Sequence, residues 1–102
     1  MPEFANPFAG NAYGRKLTDM ELVRAIRYMV AAEYEAVQLY QQLAESVEND
    51  LARAVLLDIA EEELVHAGEF LRLLKELYPE EEAFYREGAD EVEELIEGMK
   101  KK

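Results

Sequence analysis

The chain has 102 residues, enough for one small domain and too few for two. Its 23 acidic residues outnumber 11 basic ones and leave a formal charge of −12, which argues against nucleic acid or an anionic membrane as a partner and suits a protein that handles cations. There is no cysteine, which excludes disulfides, thiolate catalysis and iron–sulfur ligation, and no apolar run approaches the roughly 18 residues of a membrane-spanning helix.

Residues 1–16 contain Pro2, Pro7, Gly10 and Gly14 and read as an irregular arm. Phe4, Phe8 and Tyr13 give that arm aromatic surface with which to dock on its own chain or a neighbour. It shows no charged-then-apolar export pattern, so a cytoplasmic location is expected. Residues 17–102 are expected to form a single helical domain.

The first helix opens on a clear signal. Thr18 is followed three residues on by Glu21, a capping box, with Leu17 and Leu22 placed for a hydrophobic staple. From Asp19 to about Glu48 no Gly or Pro intervenes. Asn49-Asp50 is the turn signal, with Asp50 suited to cap the second helix, which runs from Leu51 to about Tyr78 and stops before Pro79. Each helix should be roughly 45 Å long. A two-residue link makes the pair an antiparallel hairpin. After Pro79 an acidic segment begins a shorter third helix, in which Gly88 is a candidate break and Gly98 to Lys102 a fraying end. No strand pattern stands out, so the fold class is all-α.

Counting in steps of three and four gives an apolar seam on each long helix. On the first it runs Val23, Ile26, Val30, Glu33, Val37, Tyr40, Ala44, Val47. On the second it runs Ala52, Leu56, Ile59, Glu63, His66, Phe70, Leu73, Leu77. Glu33 interrupts one seam; Glu63 and His66 interrupt the other. Carboxylates are almost never buried without a partner. Glu33 lies sixteen residues before Asn49, while Glu63 and His66 lie fourteen and seventeen after it, so all three should stand at one height.

Glu63-Leu64-Val65-His66 is a Glu-x-x-His motif, which puts a carboxylate and an imidazole on one helical face. Di-iron and di-manganese carboxylate bundles use one Glu from each of two helices and one Glu-x-x-His from each of the other two. This chain holds half of that set, and His66 is its single histidine. A twofold partner would supply the rest and complete a four-helix bundle. Four carboxylates then balance two divalent ions. Carboxylate-rich coordination suits Fe or Mn, with Zn a competitor. Tyr40 is either a core residue or a hydrogen-bonding neighbour of the site. Glu62 and Glu69 either accept the free imidazole N–H or belong to a solvated face, and Glu35 either lines an ion path or is surface.

Ala31-Ala32-Glu33-Tyr34-Glu35-Ala36-Val37-Gln38-Leu39-Tyr40, together with Ile59-Ala60-Glu61-Glu62-Glu63-Leu64-Val65-His66-Ala67-Gly68-Glu69-Phe70, resembles the encapsulated ferritin family. The resemblance covers about Leu17 to Leu77. It implies a ferritin-like half-bundle, a homodimer with a di-iron ferroxidase centre at its interface, a decameric ring and, for many members, an encapsulin shell as partner. It implies Glu33, Glu63 and His66 as iron ligands and catalytic residues, with Glu63 bridging. Tyr40 matches a tyrosine near the centre and Glu35 an acidic position on the ion path. Some members carry glutamate where this chain has Ala32, and the Gly- and Leu-rich targeting peptide of cargo members is not legible in Glu97 to Lys102. Rubrerythrins share the helix motif but add a cysteine-ligated iron module, which this sequence lacks.

The expected function is therefore oxidation of Fe(II) to Fe(III) in iron detoxification and storage. The alternatives are a di-iron or di-manganese peroxidase or catalase-like enzyme, and a non-enzymatic helical module bridged by metal.

Overall fold

A computed structural model describes residues 15–101. Of the arm assigned to residues 1–16, only Arg15 and Lys16 fall within them; Phe4, Phe8 and Tyr13 lie outside. Three helices follow in order, α1 (Asp19–Glu45), α2 (Asp50–Leu77) and α3 (Glu81–Lys100), with no strand among the described residues. None of these helices is long and apolar enough to cross a membrane.

The α1 start follows the capping signal. Glu21 N–H donates to Thr18 Oγ1 at 3.2 Å, and Thr18 N–H donates to Glu21 Oε1 at 2.9 Å. Arg15 grips the same carboxylate with both guanidinium nitrogens, at 2.7 and 2.8 Å. Those contacts, Arg15 first, hold the Glu21 carboxyl down at about 2. A lowered folded-state value means the contribution is present above the unfolded carboxylate range and is lost as pH falls towards 2. Thr18→Ala is expected to cost about 1 kcal/mol and lower the melting temperature by several degrees, checked by thermal unfolding.

The helix ends depart from expectation at the hairpin turn. The first helix stops at Glu45 rather than Glu48, because Ser46 closes it: its N–H bonds to Leu43 O and its hydroxyl to Gln42 O. The link is Ser46 to Asn49, four residues rather than two. Asn49, not Asp50, caps α2 by accepting from Ala52 N–H at 2.9 Å. Arg53 reaches back from α2 to Val47 O at 2.6 Å and Ala44 O at 3.4 Å. It thereby satisfies carbonyls at the α1 end that have no intrahelical donor.

α1 and α2 pack along their length as an antiparallel hairpin. Val23, Ile26 and Leu74 form its buried cluster, with Leu22, Phe70 and Tyr78 against it. The α1 seam is as expected, with Val23, Ile26, Val30, Val37 and Ala44 buried. On α2 the seam is displaced by one position. Ala60, Ala67 and Leu74 are the buried residues, while Leu73 and Leu77 are 41% and 37% exposed. Ile59, His66, Leu73 and Leu77 thus form the margin of the seam rather than its floor.

Gly88 does not break α3, which runs through it to Lys100. A helical glycine costs about 1 kcal/mol, and the glutamates and alanines around it offset this. Every residue from Ala83 to Lys101 is exposed. The principal extents are 49 × 48 × 21 Å and the radius of gyration is 18.2 Å, against about 13 Å for a compact chain of this length. The third helix therefore projects away from the hairpin. At its base Glu81 is the sole buried charged side chain among the described residues. It accepts hydrogen bonds from Arg27 of α1 and from the Tyr85 hydroxyl. Arg27 holds the Glu81 carboxyl below the usual range against the opposing effect of burial. Burial, with the Glu81 charge behind it, pushes Tyr85 up to about 12.

Candidate metal centre

Glu33 stands midway along α1, and Glu63 and His66 stand midway along α2. The antiparallel packing brings them to one level, as their distances from the turn require. One donor atom from each lies within 4.8 Å of the others. His66 Nδ1 is 3.5 Å from Glu63 Oε2 on its own helix and 3.7 Å from Glu33 Oε2 across the seam. The imidazole therefore offers Nδ1 to the carboxylates and leaves Nε2 for an outer partner. Metal–oxygen and metal–nitrogen bonds near 2.1 Å hold donors up to about 4 Å apart, so small rotamer adjustments close this trio on one ion.

The site lies at the margin of the hairpin rather than inside it. The side chains of Glu33 and Glu63 are 18% and 19% exposed, and that of His66 is 48% exposed. Glu33 Oε2 is buried and has no hydrogen-bond partner. The neighbouring Glu63 carboxylate, and then burial, push the Glu33 carboxyl above its ordinary range, with His66 opposing. A buried oxygen without a donor, facing a second acid, is destabilised until a proton or a cation reaches it. The donor set fits a carboxylate-bound transition metal: two hard oxygens and one imidazole, with room on the open side for further ligands.

The structure brings together all three residues the sequence singles out. It places the remaining candidates elsewhere. Tyr40 is half-buried and makes no hydrogen bond among the described residues. Glu62 and Glu69 are exposed and make none either, so neither holds the imidazole here. Glu35 is half-buried on α1 and outside the trio. Ala60 and Ala67, at the buried floor on either side of Glu63 and His66, belong to the site's architecture although they hold no donor. The signal that finds them is the seven-residue spacing Ala60, Ala67, Leu74.

Residues 24–100 match the sequence model of the rubrerythrin family. Over 78 residues the chain is 42% identical to a ferritin-like–encapsulin shell fusion protein of Pyrococcus furiosus; the match spans 76% of this chain and 23% of that protein. The chain thus spans less than a quarter of that relative's length. Over 98 residues it is 36% identical to the encapsulin nanocompartment cargo protein EncC of Myxococcus xanthus, covering 96% of this chain and 74% of the relative. Among solved structures, the crystal structure of the encapsulated ferritin domain from Pyrococcus furiosus superposes with a TM-score of 0.80 at 38% identity. That match covers 92% of this chain and 95% of the domain.

Proposed function

The chain belongs to the rubrerythrin family of ferritin-like proteins, and on that footing we propose that two of its copies oxidise Fe(II) to Fe(III) at a metal pair held between them. The observation that carries this reading is the orphaned Glu33 Oε2 beside Glu63 and His66, half of a two-metal donor set on an open margin. A twofold partner presenting the same margin supplies the second half. It also covers apolar side chains that the hairpin leaves wet, Leu73 and Leu77 among them.

In this reading Glu63 and His66 from one helix and Glu33 from the facing helix would hold the ions, with the two glutamates supplying the charge and the imidazole a neutral nitrogen donor. The four carboxylates of a pair neutralise two divalent ions, so the charges that repel in the empty seam become the binding force. Bound iron supplies the redox chemistry, each Fe(II) passing one electron to O₂ or peroxide. A bound cation relieves the like-charge conflict with Glu63 that holds the Glu33 carboxyl above its ordinary range in the empty site. The formal charge of −12 per chain raises the local concentration of Fe²⁺ around the assembly. By analogy with relatives described as encapsulin cargo and as a shell fusion, the ferric product is deposited within an encapsulin shell in the cytoplasm. A ring of ten chains is the assembly we expect there.

Native mass spectrometry with stepwise Fe²⁺, followed by exposure to air, tests this. The expected result is two irons per pair of chains and continued oxidation well beyond one filling. Oxidation that stops after one filling would point to peroxidase-like chemistry instead. Pairs that form normally and hold no transition metal would reduce the trio to a structural role.

A further inference from the structure

α3 is joined to the hairpin through very little. Its backbone contacts across the elbow are the turn bonds Glu81 N–H to Tyr78 O, Glu82 N–H to Pro79 O and Ala83 N–H to Glu80 O, at 3.2, 3.1 and 3.3 Å. All of them stay within residues 78–83 and do not reach α1. Glu80, at the cap position, makes no side-chain capping bond. Packing does not wedge the helix either. A crevice of about 180 Å³ lies beneath its first turn, lined in part by Leu71, Leu74, Tyr78 and Tyr85. Beyond Glu82 every described residue is exposed, with the Tyr85 hydroxyl turned onto Glu81. Among the described residues the Glu81 carboxylate, whose side chain is 11% exposed, ties α3 to the first helix. It takes a charge-assisted bond from Arg27, fifty-four residues earlier, and a hydroxyl bond from Tyr85, one turn further along α3. The Tyr85 bond locks the carboxylate's orientation relative to α3, and the Arg27 bond locks it relative to α1.

We infer that the Arg27–Glu81–Tyr85 contact is the joint that fixes the direction in which α3 leaves the hairpin. The lever is long. α3 extends about 30 Å, so a swing of about 20° at its base moves its tip by about 10 Å. The apolar residues carried outward, Val92, Leu95, Ile96 and Met99, are presented wherever the joint aims them. The joint lies on different residues from the metal trio, so this inference stands independently of the iron chemistry.

The absence of cysteine makes a direct measurement clean. Spin labels at Asp58→Cys on α2 and Glu94→Cys on α3, both exposed positions, report the hairpin-to-α3 distance in the full chain. Labelled protein is diluted in excess unlabelled protein so that each assembly carries one labelled copy. The parent is expected to give one narrow distance distribution. Glu81→Ala and Arg27→Met are expected to broaden it at least about twofold, and Tyr85→Phe to broaden it less. Glu76→Ala, which breaks the exposed pair with Arg72, should leave it unchanged. Circular dichroism of each variant checks that the helices persist. A distribution as narrow in Glu81→Ala and Arg27→Met as in the parent overturns the inference. So does loss of α3 helicity in those variants, which would make Glu81 a helix-starting residue and not a joint.

Discussion

Replacing Glu63 by alanine is expected to abolish Fe(II) oxidation and to weaken iron binding by more than about 100-fold, since loss of residues that merely orient ligands already costs 10- to 100-fold. Glu63 is the residue with most to lose. It shares a helical face with His66, 3.5 Å from Nδ1, and faces Glu33 across the seam. Its removal leaves one carboxylate and one imidazole per chain, too few to neutralise two divalent ions in a pair. The hairpin should survive, because Glu63 lies outside the Val23, Ile26, Leu74 cluster that holds it together. Stopped-flow oxidation and metal counting by native mass spectrometry check both halves. An unchanged oxidation rate with lost assembly would show that Glu63 serves architecture instead.

Glu33→Gln is expected to act in opposite directions on the empty and the loaded protein. The Glu33 carboxyl is held above its ordinary range, chiefly by Glu63. A raised folded-state value contributes stability at pH below the unfolded range, and that contribution is lost as pH rises through the folded value. In the metal-free protein the ionised form of Glu33 is therefore the disfavoured one, unpaired beside a second acid. The neutral amide removes that repulsion. Metal-free Glu33→Gln should be more stable than the parent by roughly 1 kcal/mol, or about 4–8 °C in melting temperature. The advantage should shrink as pH falls towards the carboxylate range, where the parent's Glu33 takes up a proton. With Fe²⁺ or Mn²⁺ present the order reverses, because the parent gains binding free energy and the variant has lost a ligand. Thermal unfolding with and without metal, at two pH values, reads the crossover. A variant less stable than the parent without metal would show that Glu33 is satisfied by groups other than a cation.

Much of this is legible in the amino-acid sequence alone. Thr18 with Glu21 marks the α1 start to the residue, and Pro79 ends α2, because capping and proline act through local chemistry. Glu33, Glu63 and His66 stand out because charged side chains in an apolar period are costly whatever the partner. The phase of the α2 seam was not legible. Two neighbouring stripes both satisfy a three-and-four count, one rich in large residues (Ile59, Leu73, Leu77) and one in small (Ala60, Ala67). Hydrophobic periodicity weights bulk, whereas the line of closest helix approach selects small side chains. The four-residue turn is not legible in the sequence because Arg53 reaches back to Val47 and Ala44, a tertiary contact. The Arg27–Glu81 pair is hidden for the same reason: nothing local relates residues so far apart in the chain.

The two alanines have a further consequence. Ala60 and Ala67 bracket the Glu63–His66 turn on the side that meets α1, and both are 2% exposed. Methyl groups at these points act as shims, setting how near one rod can lie to the other. The gap between Glu33 and the Glu63–His66 pair is therefore gauged by residues that carry no donor atom in their side chains. Under the proposed metal reading, tolerance for ionic radius would follow from the calibre of two side chains with no chemistry of their own.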